Sequence, residues 1–301
     1  MDRSVSAQPV ATLPSFRAGL ELLKPVTWFA PMWAYGCGIV SSGVSVSDHL
    51  WTLVAGVALC GPLVCGTSQA VNDWFDRHVD AINEPHRPIP SGRIPGRWGL
   101  GIAIVWSLLS LLVAASLGQW VFYASIVGLA AAWAYSAPPL RLKTNGWWGN
   151  SAVGLCYEGL PWFTAAAAML AARPPLEIIW LALLYSIGAH GIMTLNDFKA
   201  VEGDKQMGIG SLPVRLGESV AAKLACVVMA VPQIAVAGLL LHWNRPLYAG
   251  IIAAALVLQV FCMVRLLKDP KKYAPWYNAT GVTFYVLGML ASAIAVRGGL
   301  S

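Results

Sequence analysis

Residues 51–80 read WTLVAGVALCGPLVCGTSQAVNDWFDRHVD, a charge-free run that ends in Asn72, Asp73, Asp76 and Asp80. A helix needs about 20 apolar residues to cross a bilayer, and 51–71 supplies them. At roughly 100° per residue the four polar side chains fall within an arc of ~100°, so they share one helix face. Carboxyls crowded on one stripe repel each other unless a cation sits among them. Hard oxygen donors suit Mg²⁺ and, through it, a phosphate group. A lone acidic cluster is equally the solvated end of a helix.

A second copy breaks that tie. Asn72, Asp73 and Asp80 recur 124 residues later as Asn196, Asp197 and Asp204, in NDFKAVEGD. Asp76 has Ala200 as its counterpart, and Glu202 is the candidate to compensate if Gly203 ends the helix and frees its direction. Asp73, Asp76, Asp80, Glu84, Asp197, Glu202 and Asp204 make up half of the 14 acidic residues of the chain. Both copies follow an apolar helix and precede a basic loop rich in Gly, Pro and Ser.

The rest of the chain fits the same class. Only 11% of its 301 residues are charged against 57% hydrophobic, and the mean hydropathy is +0.62. Soluble domains carry about 25% charged residues. The pattern predicts an all-α integral membrane protein, with helices near 25–40, 51–71, 98–117, 120–135, 146–170, 176–195, 220–241, 247–267 and 276–296. No alternating pattern of an outer-membrane barrel is present. A net charge of +6 is ordinary for a membrane protein and does not point to nucleic acid. Pro31, Pro62, Pro161 and Pro232 fall inside these spans and predict kinks. The six cysteines are scattered through apolar stretches without a CxxC pair, which predicts small hydrophobic packing groups.

Nine spans place every Lys and Arg on the N-terminal side of the membrane except Arg173, Arg245 and Arg297. That bias predicts a cytoplasmic N-terminus and brings both acidic motifs to the cytoplasmic face. Residues 1–19 read as a cytoplasmic tail. They lack the apolar core of a signal peptide and the character of an organellar presequence. Residues 20–301 read as one polytopic domain.

Two facing carboxylate clusters predict two Mg²⁺ ions holding a diphosphate. Its second clamp would come from Arg77, from Arg87 in HRPIPSGR, from Arg141 and Lys143 in YSAPPLRLK, and from Lys205. Each of these cations also serves as a topology signal. An apolar cavity under a diphosphate site suggests a polyprenyl diphosphate: the metal draws charge from the departing diphosphate, and a dry cavity shields an allylic cation.

Together the NDxxDxxxD motif, the second acidic motif and the YSxPPxRxK loop resemble those of the UbiA-type intramembrane prenyltransferases, over nearly the whole chain. NDWFDRHVDAINEPHRPIPSGRI and NDFKAVEGDKQMGIGSLPVRLG are most similar to the chlorophyll and bacteriochlorophyll synthase branch, in its bacterial form. The resemblance implies nine transmembrane helices around a central cavity, in the bacterial inner (photosynthetic intracytoplasmic) membrane. It implies that Asp76, Asp80, Asp197 and Asp204 are catalytic, in a metal set with Asn72, Asp73 and Glu202. It also implies an ester made from geranylgeranyl or phytyl diphosphate and the propionate of bacteriochlorophyllide or chlorophyllide, with pigment-biosynthesis or photosystem-assembly proteins as associates. Such a carboxylate is ionised at neutral pH, so no general base is required. His190 and Glu158 are candidates on the acceptor side, His190 as an axial ligand to the chlorin magnesium and Glu158 because ionisable groups in lipid are functional by default. Each also reads as an ordinary core histidine or an interfacial acid. Prenylation of a quinone-precursor ring or haem is a second reading, and an ion transporter a third. Transporter carboxylates, however, tend to lie at the bilayer midplane.

Overall fold

The computed structural model describes residues 13–299; the expected tail through residue 12, with Arg3, lies outside them. Among the described residues the protein is helical and contains no strand. Helix α1 (Phe16–Leu22) is capped by the Ser15 hydroxyl, which accepts from the Ala18 amide at 3.2 Å. The expected tail is therefore partly helical, because Ala18 and Leu22 are buried against Val71 and Ile94. Helices α2 (Phe29–Ser42), α3 (Leu50–Asn83), α4 (Trp98–Leu117) and α5 (Gln119–Ser136) follow. Next come α6 (146–170) and α7 (Leu176–Asp197), then two short helices, α8 (Val201–Gln206) and α9 (Leu212–Leu216). Three long helices complete the chain: α10 (Glu218–His242), α11 (Pro246–Leu266) and α12 (Pro270–Ala295).

Six of these, α3, α4, α7, α10, α11 and α12, are long and apolar enough to cross a membrane. Burial separates their roles. Helix α7 is 67% buried over its apolar window, whereas α4 and α11 are 22% buried. The outer helices present Leu108, Leu112, Val260 and Phe261, and α7 forms the centre. It packs on α10, α6 and α12, and α12 also reaches α2, so the last long helix closes on the first. Gly191 makes the α7–α10 approach possible, since a Cβ there would stand 2.5 Å from the Ala225 carbonyl oxygen. Small residues let helix backbones meet closely in lipid, where no hydrophobic effect drives association.

Several buried aromatic side chains of the core satisfy their polar ends internally, although the Tyr277 hydroxyl is buried without a partner. Tyr285 donates to the Tyr185 carbonyl at 2.6 Å, Tyr185 pairs with Ser292 at 2.9 Å, and Trp162 donates to Ser41 at 3.1 Å. These bonds tie α2, α6, α7 and α12 together.

Two of the four expected kinks take a specific form. Pro62 lies in a π-helical segment, Leu59–Cys65, and Pro161 is the second residue after another, Leu155–Gly159. Proline lacks an N–H, and a locally widened turn accommodates the missing bond. Pro31 sits in the first turn of α2, where no such bond is lost. Pro232 is inside α10.

Candidate active site

The first acidic motif occupies the last turns of α3. Asp73 and Asp80 are buried there, and each meets a cation from a different part of the chain. Lys24 donates to Asp73 Oδ1 at 2.6 Å. Arg87 donates to Asp80 Oδ2 at 2.9 Å and lies 3.6 Å from Asp73 Oδ1. Lys143 Nζ stands 2.5 Å from both oxygens of Asp76, with Arg141 at 3.5 Å. Asn72 donates to the Ser136 hydroxyl at 3.2 Å. Asp73 Oδ2 is buried without a partner.

Backbone geometry aims these cations. Lys24 (φ 47°) and Arg141 (φ 37°) both adopt the left-handed conformation. For a side-chain-bearing residue that costs about 1–3 kcal/mol and persists only where the surroundings enforce it. Arg87 belongs to a compact loop after α3, held by the Ile94 amide on the Pro88 carbonyl at 2.9 Å. Burial works against the Arg87 charge, but the carboxylates of Asp73 and Asp80 outweigh it and raise its pKa. For Lys143 the balance is reversed: burial lowers its pKa although Asp76 pulls upward. Arg77 takes no part, since it donates to the Trp74 carbonyl at 2.7 Å and lies over the Trp74 ring.

The second motif is built differently. Its helix does not run on to Gly203. Helix α7 stops at Asp197, a turn follows, and α8 runs through Gly203 as an ordinary helical residue. The break buries Phe198 and Val201, so packing sets the break and the glycine does not. Asp197 Oδ2 accepts from Asn150 at 3.1 Å, and Asn278 donates to Asn196 at 2.8 Å. Asp204 is buried, and that burial raises its carboxyl pKa. Glu202 points outward, 67% exposed, to Lys271 at 3.6 Å. Lys205 is exposed.

The segments that follow the two motifs touch. Asn83, at the end of α3, contacts Met207 just past α8, at 3.9 Å. The Lys143 loop joins the two sides through backbone bonds, Gly210 to Thr144 and Gly146 to Gly210, both 2.9 Å. Gly146 is required at this junction, because a Cβ would stand 2.6 Å from the Leu212 amide nitrogen. Gly146→Val is expected to lower stability by about 1–3 kcal/mol, read as a fall in the melting temperature of the detergent-solubilised protein.

Charge is distributed unequally. Among the described residues, the ion pairs of the two motifs fall on Asp73, Asp76, Asp80, Glu84 and Glu202. None falls on Asp197 or Asp204. The donors are oxygens, which fits a hard divalent ion. Among the described residues no three acidic, His or Cys groups form a ready-made cage. Mg²⁺ typically takes one or two carboxylates and completes its shell with water and substrate phosphates, so the sparse set and the orphaned Asp73 oxygen fit it.

Below Tyr135 a narrow apolar cavity descends between α3, α5 and α6, past Ser68, Cys65 and Tyr157. It shares Cys60, Val64, Gly128 and Cys156 with a second narrow cavity that reaches Thr164. Both π-helical segments contribute to its walls. Glu158 is buried in one of them, and its Oε2 has no partner. His190 lies on α7, against the Trp147 ring. Lys24 and Asn150 were not anticipated as site residues. Lys24 stands out in the sequence only as a cation before a proline, and Asn150 only as an amide in an apolar run.

The family model described as UbiA prenyltransferase family matches residues 25–298. The bacteriochlorophyll synthase 33 kDa chain of Cereibacter sphaeroides is 59% identical over 298 residues, covering 99% of this chain and 98% of that protein. The chloroplastic chlorophyll synthase of Arabidopsis thaliana is 42% identical, over 92% of this chain and 73% of that protein. Among solved structures, a UbiA homolog from Archaeoglobus fulgidus bound to GPP and Mg²⁺ matches with a TM-score of 0.72. It covers 93% of this chain and 99% of that one at 22% identity, which shows a shared fold.

Proposed function

The chain belongs to the UbiA prenyltransferase family, and from that premise we propose that it transfers a geranylgeranyl or phytyl group from its diphosphate to the propionate carboxylate of bacteriochlorophyllide. The observation that carries this reading is the 59% identity to a bacteriochlorophyll synthase along essentially the whole chain. The carboxylate oxygen forms a bond to C1 of the prenyl group as the C1–O bond to diphosphate breaks. The bonding pair leaves with diphosphate. The acceptor is already ionised, so no proton has to be removed.

In this reading Asp73, Asp76, Asp80, Asp197 and Asp204, with Asn72, hold Mg²⁺ together with the substrate phosphates. Glu202 contributes only if it turns away from Lys271. Bound there, Mg²⁺ draws negative charge off the leaving diphosphate. Arg87, Arg141 and Lys143 are the cations placed to exchange a carboxylate for phosphate oxygens. Arg77 and Lys205 take no part while they keep the positions described. Lys24 holds Asp73 in place, and Asn150 orients Asp197. The tail occupies the cavity below Tyr135, where apolar walls exclude water from C1. Nine helices cross the bacterial inner membrane in one polytopic domain, with the N-terminal side and both motifs facing the cytoplasm, as the distribution of Lys and Arg supports.

The test is mass analysis of the ester made by purified protein given mixed geranylgeranyl and phytyl diphosphates with chlorophyllide, bacteriochlorophyllide and an aromatic acid. A bacteriochlorophyllide ester is expected. Exclusive prenylation of the aromatic ring would overturn the reading, and preference for chlorophyllide would move the protein to the neighbouring branch.

A further inference from the structure

On the outer side of α7 an open groove runs toward α6, with Val228 of α10 at its edge. Its walls are Trp147, Trp180, Leu183 and Ile187, and one polar group in it is unsatisfied. Ser186 donates to the Ala182 carbonyl at 2.8 Å. His190 is different: it is only 7% exposed, and Nε2 is buried with no hydrogen-bond partner. A buried acceptor without a donor costs about 1–3 kcal/mol. Acyl chains would gain nothing from it. An imidazole lone pair has a second use, as a ligand to a metal.

We propose that this groove seats the macrocycle of the pigment acceptor, with His190 Nε2 as axial ligand to its central magnesium. The inference rests on the esterification reading above and adds where the acceptor binds. Two indoles, Trp147 and Trp180, offer flat apolar walls to a flat ring. His190 precedes Asp197 by seven residues on α7, a rise of roughly 10 Å along nearly one face. A ring held at its metal therefore has its propionate arm to span the remaining distance to the second acidic motif. Polar side chains bridge that interval. Thr194 donates to the His190 carbonyl at 2.9 Å, and Asn150 donates to both Thr194, at 3.3 Å, and Asp197. No charged residue lines the groove, so His190 has no acid–base partner there.

The experiment titrates full-length protein in nanodiscs, without prenyl diphosphate, with bacteriochlorophyllide and with its demetallated form. Absorption and magnetic circular dichroism report the magnesium coordination. Wild type is expected to bind the magnesium form at least about tenfold more tightly, with the spectrum of a nitrogen-ligated metal. His190→Leu should lose both that spectrum and the preference and raise KM for the acceptor about tenfold at similar kcat. Imidazole should restore the spectrum in His190→Gly. Equal wild-type binding of both forms, or an unchanged spectrum and KM in His190→Leu, would overturn the proposal and leave the groove to lipid. If His190→Leu fails to fold, Trp180→Ala replaces it: weaker binding of both forms supports the site, and unchanged binding removes it. A protein that esterifies aromatic acids and no chlorin would instead defeat the functional reading, which the mass analysis detects separately.

Discussion

Asp197→Asn protein, saturated with Mg²⁺ and both substrates, is expected to form ester about 10²–10³-fold more slowly than wild type, the scale of losing one preorganised electrostatic contact to a developing charge. Asp197 carries the largest expected effect because its charge is not already committed. Among the described residues the first motif is neutralised by Lys24, Arg87, Arg141 and Lys143, whereas Asp197 is held only by the Asn150 amide. An asparagine there can still accept from Asn150, so folding and chlorin binding should survive while affinity for a divalent ion falls. Chelation of the wild-type protein should match the loss, and added Mg²⁺ should rescue wild type but not the variant. Unchanged turnover of Asp197→Asn across a Mg²⁺ titration would end the metal-clamp reading.

Lys143→Met should raise KM for the prenyl diphosphate by about 10–100-fold, since hydrogen bonds to charged groups contribute about 1.5–3 kcal/mol. It should also destabilise the protein, because Asp76 is then left in a half-closed site without its nearest cation. Removing one partner of a buried pair costs up to about 3–5 kcal/mol. The two effects separate in the double variant Lys143→Met with Asp76→Asn. Stability should return, as no unpaired charge remains, while turnover should not. Lys143→Arg should recover only part of the activity, because a planar guanidinium does not fit where an ammonium sits 2.5 Å from both Asp76 oxygens. Full activity in Lys143→Met would show that the lysine serves only the folded state without substrate.

Much of this protein is legible along the chain. The apolar runs identify its long helices, although α3 runs on to Asn83, past the end of its apolar run. The recurrence of Asn72, Asp73 and Asp80 at Asn196, Asp197 and Asp204 marks two related acidic motifs in the sequence alone. The recurrence does not carry over to conformation. Asn72–Asp80 lies on one helix, whereas Asp197 and Asp204 lie on two, separated by a turn that buries Phe198. A buried aromatic outweighed the expected stop at Gly203, and tertiary packing of that kind leaves no local mark. Glu202 illustrates the same limit, since its side chain follows the turn outward to Lys271.

The sequence by itself determined which helices are apolar enough to lie in a membrane and where oxygen donors gather along the chain, because hydropathy and carboxylate spacing are properties of consecutive residues. Which cation meets which carboxylate was decided only in three dimensions. Lys24 and Arg141 reach their partners through left-handed backbone, Asn150 reaches Asp197 across a helix interface, and the Lys143 loop is tied by the backbone of Thr144 and Gly146 to Gly210, past the second motif. Those contacts join residues far apart in the chain, and their geometry is set by how the helices pack.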